Sequence, residues 1–128
     1  MKLEYLEDGD NLCPLIRLYD FRHLDAIKFR NVVNKLASGM SDNIKLHDMP
    51  FINSVNHCQL TLKRRIDNDQ GIYKNIGISD FSCSLTKDSW SWLEELVNPF
   101  CKSDSSNGHQ WLTESSDITL LLSNTGKW

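Results

Sequence analysis

Two short stretches carry the side chains best suited to chemistry. In CKSDSSNGHQWLTESSD, residues 101–117, His109 follows Gly108 and stands two residues before Trp111. An imidazole left exposed beside a glycine turn titrates near neutral pH and can move a proton. In LHDMPF, residues 46–51, His47 and Asp48 are adjacent, and a base with a carboxylate to orient it is the start of acid–base machinery. A small hydrolase or transferase using His109 or His47, with Asp48 or Glu114 as orienting group, is the enzymatic reading these residues raise. Each has a plainer use. Neighbours in a strand point to opposite faces, so His47 and Asp48 would not cooperate there, and Asp48 would instead cap the turn before Pro50. An indole buries roughly 150–250 Å². At about 25 cal/mol/Å², half of that stabilises a loop by about 2 kcal/mol, so Trp111 is expected to fasten the loop to the body, with Leu112 covering the opposite flank.

Metal and cofactor chemistry lacks a complete set of residues. Cys13, Cys58, Cys83 and Cys101 include no CxxC pair, His57 and Cys58 are neighbours, and Cys101 and His109 lie eight apart; structural zinc sites want close paired spacing. Cys58 and Cys83 fit the apolar phase of their segments and read as small core residues. DNDQG, residues 67–71, begins like a calcium loop, but Ile72 and Ile78 stand where an EF-hand needs Gly and Glu. GxxxxGK[ST], GxGxxG and GxSxG are absent. No cofactor and no metal are expected.

The formal net charge of −3 gives no drive toward phosphate backbones or anionic membranes. Lys63, Arg64 and Arg65 form the one dense basic cluster, and Asp67 and Asp69 follow within a Debye length of about 8 Å. Tyr19 is the one aromatic residue placed to stack on a base from a sheet face. Nucleic acid is therefore not an expected partner. No apolar run reaches the roughly 20 residues of a membrane helix. The first ten residues carry four acids and no apolar h-region, so a secretory signal is not expected, and the thiols read as reduced in a cytoplasmic setting.

The elements that must position these side chains fit one domain over residues 1–128. Residues 1–12 read as a mobile acidic N-terminus. PLIRLYDF, 14–21, suits a strand, and Leu24, Ile27, Val32, Val33 and Leu36 recur at helical spacing between Asp20 as cap and Gly39 as stop. NIKLHDMPF reads as an edge strand ending at Pro50. HCQLTLKR alternates like a half-buried strand, and DNDQG then turns the chain into IYKNIGISDFSCSLT, a long hairpin partner bent near Gly77. Thr86 caps a helix carrying Trp90, Leu93 and Val97, which Pro99 stops. Residues 102–110 form a polar loop, GHQWL, 108–112, behaves as a short pinned strand within the polar stretch 101–117, DITLLLSN makes an apolar strand, and 124–128 form a turn and tail.

The expected fold is α+β: a mainly antiparallel sheet of about five strands with two helices on one face, in the order βαβββαβ, a ferredoxin-like variant. The other face would then display Arg17, Tyr19, Gln59, Thr61, Lys63, Ser82, Ser84, Thr119 and Leu121, polar with a few amphipathic residues. With no complete catalytic set, the leading expectation is a small intracellular binding or interaction module. It would meet a protein partner or a second copy through Arg17, Tyr19, His47, Asp48, His109 and Trp111.

Overall fold

Helix α1, His23–Ser38, forms where apolar spacing places it: Ala26, Phe29, Val32, Val33, Leu36 and Ala37 make one buried stripe. Gly39 ends it at φ 83°, a left-handed conformation that costs a residue without a Cβ little. Its start departs from expectation. Asp20 pairs with Lys2 at 3.1 Å, and Arg22 occupies the N-cap, where its side chain cannot accept a bond. The Asp25 carboxylate compensates by accepting the Arg22 amide at 3.3 Å. Helix α2, Lys87–Val97, begins as expected, with the Thr86 hydroxyl accepting from the Ser89 amide at 3.4 Å. Asp69 adds a second cap by accepting the Thr86 amide at 2.7 Å and the Ser89 hydroxyl. Trp90 is fully buried, and its Nε1 donates to the Lys63 carbonyl at 2.9 Å, so no polar atom of the indole is stranded in the core.

The computed structural model describes residues 1–9, 11–103, 107–113 and 116–128. Among these residues the strands are β1 Lys2–Leu6, β2 Leu15–Tyr19, β3 Asn43–Lys45, β4 Asn53–Ser54, β5 Gln59–Arg65, β6 Gly71–Lys74, β7 Asp80–Thr86, β8 His109–Thr113 and β9 Thr119–Ser123. They form two mixed sheets: a five-stranded one in the order β4-β1-β2-β9-β8, and a four-stranded one in the order β3-β5-β7-β6. Three neighbours run parallel: β1 with β4, β2 with β9, and β5 with β7.

Four expectations are corrected. The single sheet in βαβββαβ order is replaced by these two sheets, because alternation fixes which way side chains face but not which strand lies alongside. DNDQG does not join a hairpin, since β7 lies between β5 and β6. The run from Ile72 onward is not one bent strand either. It folds back at residues 75–79 into the antiparallel β6–β7 hairpin, with Gly77 in the loop at φ 133°. The N-terminal residues, finally, hold β1: Leu3 is fully buried, and the Met1 ammonium donates to the Phe51 carbonyl at 3.0 Å.

Leu3, Ile16, Leu18, Leu120 and Leu122 of the larger sheet join Leu60, Leu62, Phe81, Cys83 and Leu85 of the smaller one in a single core that the two helices complete. Tyr5 packs on Phe81 with ring centroids 4.5 Å apart, tying β1 to β7. An isolated antiparallel bridge between Ile72 and Ile118 brings the two sheets together along another edge. No helix among the described residues is long and apolar enough to cross a membrane.

Candidate functional site

Four of the six residues singled out from the sequence share one surface. Register places Lys2, Glu4, Arg17, Tyr19, Leu121, His109 and Trp111 on the face of the five-stranded sheet that points away from the core, with Arg17 beside Leu121 and Leu121 beside Trp111. Arg17 anchors this face. Its Nε donates to Glu4 Oε1 at 2.8 Å, Nη2 donates to the same oxygen, and Nη1 donates to the Gly126 carbonyl at 2.8 Å. The guanidinium carbon lies 3.9 Å from the Tyr19 ring centroid, a close cation–π contact. Burial, followed by the Glu4 carboxylate, pushes the Tyr19 phenol above its ordinary value.

This face is not the open, solvated surface expected of it. Leu15 and Leu121, which alternation points outward, are fully buried. The C-terminal residues lie over the face: Gly126 is buried, and a Cβ there would stand 2.9 Å from Tyr19 Cδ2 and 3.0 Å from Arg17 Nη1. The Ser123 hydroxyl fixes the turn by donating to the Lys127 carbonyl at 2.7 Å and accepting the Gly126 amide at 3.0 Å. Beyond it Trp128, 37% exposed, meets Trp111 edge-on with centroids 6.5 Å apart. His109 meets the same indole edge-on at 6.4 Å. Trp111 is therefore a half-buried aromatic wall on the outside of the sheet. The residue of this strand that enters the core is Leu112, 6% exposed, at a bulge between Trp111 and Thr113.

His47 and Asp48 lie elsewhere, in a 3₁₀ turn, Leu46–Asp48, directly after β3. The Leu60 amide of β5 donates to His47 Nδ1 at 3.0 Å. Nε2 lies 3.8 Å from Asp48 Oδ1, too long for a hydrogen bond. The imidazole thus accepts an edge amide of β5 where the neighbouring strand has ended. Asp48 is 67% exposed and does not cap the turn; the Met49 amide closes it on the Leu46 carbonyl at 3.1 Å. Glu114, the other carboxylate considered, lies outside the described residues.

The thiols hold structural positions. Cys58 and Cys83 are buried, and burial raises each to about 12, far from a thiolate at neutral pH. Cys13 and Cys101 are partly buried, and all four are free. Among the described residues no three His, Cys, Asp or Glu side chains gather closely enough to hold a metal ion.

On the outer face of the four-stranded sheet Ser82 and Ser84 are buried at 0% and 1% exposure. The Asn75 amide nitrogen donates to Ser82 Oγ at 2.9 Å, and the Tyr73 and Ser84 hydroxyls share a bond at 3.0 Å. These serines are thus hydrogen-bonded to neutral side chains of their own hairpin, Asn75 and Tyr73. Glu4, Gly126 and Trp128 were not picked out from the sequence. The alternation of KLEYL carried a signal for Glu4, whereas nothing in NTGKW distinguishes a strap over a sheet from a loose tail. No known protein family, curated protein or solved structure matches this chain.

Proposed function

We propose that the protein is a binding module without catalytic activity, and that it meets a protein partner through the His109–Trp111–Trp128 margin of the five-stranded sheet. One observation carries this reading: three aromatic rings stand roughly perpendicular at that margin, at 79° and 67° to the central indole, and they present partly exposed apolar edges. Arg17 and Glu4 hold the ground beneath. Rigid Trp side chains with few rotamers bind at low entropic cost and dominate the energetics of protein interfaces. A partner offering an aliphatic or aromatic side chain to the notch beside Trp111 fits these walls. The competing acid–base reading has less support, because His47 Nδ1 is already engaged by the Leu60 backbone and Nε2 is beyond hydrogen-bond reach of Asp48.

The test uses a partner recovered on the immobilised protein. Binding should slow amide exchange in residues 109–113 and 124–128, and Trp128→Ala should weaken it about tenfold or more, the usual loss at an interface hot spot. Protection confined to other segments, or binding that both Trp128→Ala and His109→Ala leave intact, would overturn the reading. Recovery of no partner that distinguishes wild type from Trp128→Ala would count equally against it.

A further inference from the structure

The residues that lead into β8 carry a chemistry independent of any partner. Asn107–Gly108 is the one Asn-Gly step in the sequence. An asparagine followed by glycine can lose its side-chain amide without an enzyme, because no Cβ on the glycine obstructs its backbone nitrogen as that atom attacks the side-chain carbonyl carbon. A bond forms between Gly108 N and Asn107 Cγ, the Cγ–Nδ2 bond breaks, and ammonia leaves behind a cyclic imide. Water then opens the ring at either carbonyl and gives aspartate or isoaspartate, the second with a methylene added to the backbone.

Both residues are exposed, and the fold does not require this glycine: its φ is not positive, and a Cβ built on it meets no described atom within 4 Å. What restrains the step is a clip from the end of β9. The Gly108 amide donates to Asn124 Oδ1 at 3.0 Å, and the Asn124 amide donates to the Gly108 carbonyl at 3.3 Å. Attack needs the Asn107–Gly108 peptide plane to turn its nitrogen toward Cγ, and the first of these bonds pins that plane to Asn124. Reaction therefore waits for the clip to open.

Asn107 also lines a cleft of about 270 Å³, together with Arg22, His23, Ser103 and Asn124 around the Phe21–Phe100 pair. None of the described residues lining it is acidic. Asp25, on the same turn of α1, is engaged by the Arg22 amide and lies 3.9 Å from the Met1 ammonium. A carboxylate formed at position 107 thus arises beside a permanent cation and an imidazole.

We propose that Asn107 is a site of spontaneous deamidation, that Asn124 holds the reaction back in the folded chain, and that the Arg22–His23 cleft accommodates the carboxylate produced.

Peptide mapping by mass spectrometry after incubation in mildly alkaline buffer reads the conversion, since replacing an amide by an acid raises the mass whereas isomerisation at Asp8–Gly9 does not. In guanidinium chloride, wild type, Asn124→Ala and Asn124→Asp should convert at Asn107 at one common rate. Folded wild type should be slower than that. Folded Asn124→Ala should convert about fivefold faster than folded wild type, the effect of one hydrogen bond on a local opening. Asn124→Asp keeps an acceptor oxygen and should stay close to wild type. Gly108→Ala, whose methyl has room, should slow the reaction in both states. Equal rates for folded and unfolded wild type, or a folded Asn124→Ala no faster than wild type, would overturn the restraint. Mass gain at another asparagine while Asn107 stays intact would overturn the site. Asn107→Asp carries the new charge without the added methylene and should melt no lower than wild type at low salt; a lower melting temperature would show that the cleft rejects the anion.

Discussion

On the outer face of the four-stranded sheet, the buried hydroxyl of Ser84 is satisfied by Tyr73, 11 residues away in the same hairpin. On the outer face of the five-stranded sheet, Arg17 reaches across 109 residues of chain to the carbonyl of Gly126. Alternation read the residues of both surfaces as one polar, open face of a single sheet, but they belong to two sheets, and the groups buried on each are covered with different material. On the first, Ser82 and Ser84 are bonded by Asn75 and Tyr73, side chains that the β6–β7 hairpin brings along itself. The second is sealed by a separate segment held through a guanidinium, a glycine and a serine hydroxyl. A face closed by its own hairpin stays closed as long as the hairpin exists, whereas a face closed by a strap can be uncovered while the sheet persists. The aromatic margin proposed as a binding site lies on the strapped face.

Substitutions separate these two kinds of closure. The largest effect is expected at Arg17→Ala, which leaves the Glu4 carboxylate, 14% exposed, without its cation and the Gly126 carbonyl without its donor. This pair lies between an exposed and a buried ion pair, and urea unfolding should show a loss of about 2 kcal/mol. A loss within error of zero would mean the strap does not depend on it. Gly126→Ala should come next, at about 1–2 kcal/mol, because φ of 86° is strained for alanine and the new methyl meets Tyr19. Its particular mark is a red shift of tryptophan emission at a denaturant concentration where far-ultraviolet dichroism is unchanged, as the strap lifts from the sheet.

Ser84→Ala on the other face should cost about 1 kcal/mol, the ordinary price of one hydrogen bond whose partner can turn to water. It should melt in a single transition with no early change in fluorescence. The smallest effect, about 0.5–1 kcal/mol, is expected from Asp69→Asn at the start of α2. Burial raises the Asp69 carboxyl, but the bonds from the Ser89 hydroxyl and the Thr86 amide outweigh it and leave the group below its ordinary value. A depressed carboxyl contributes stability above its unfolded value and loses it as pH falls through the folded one. Wild type should therefore lose stability on acidification more steeply than Asp69→Asn, and parallel curves below about pH 4 would show that the carboxylate contributes nothing to the cap.

Much of this was readable in the chain, for local reasons. Thr86 followed by Ser89, Trp90, Leu93 and Val97 announces a capped amphipathic helix, because cap and stripe both depend on neighbours within a few residues. Period-two alternation likewise placed Arg17, Tyr19, Thr119 and Leu121 on one face correctly. It could not say that β9 would lie beside β2, or that β5 would run parallel to β7 with β6 beyond, since those pairings join residues 104 and 21 apart in the chain. Strand β1 was obscured by the acids that follow it, although Lys2 and Glu4 alternate with Leu3 and Tyr5 as a strand should. His47 illustrates the limit for a single residue. Its type suggested catalysis, and its use as an acceptor for Leu60 depends on where β5 passes, which no spacing around residue 47 encodes.

The order of strands also constrains when each half can assemble. All four strands of the smaller sheet lie between residues 43 and 86, whereas the larger one needs β9, at residues 119–123, as the neighbour of β2. During synthesis the smaller sheet has all its strands available while Leu15–Tyr19 still waits for its centre-line partner. One edge of β2 must therefore stay unpaired until residues 119–123 have emerged from the ribosome, and that interval is where premature association of nascent chains would begin.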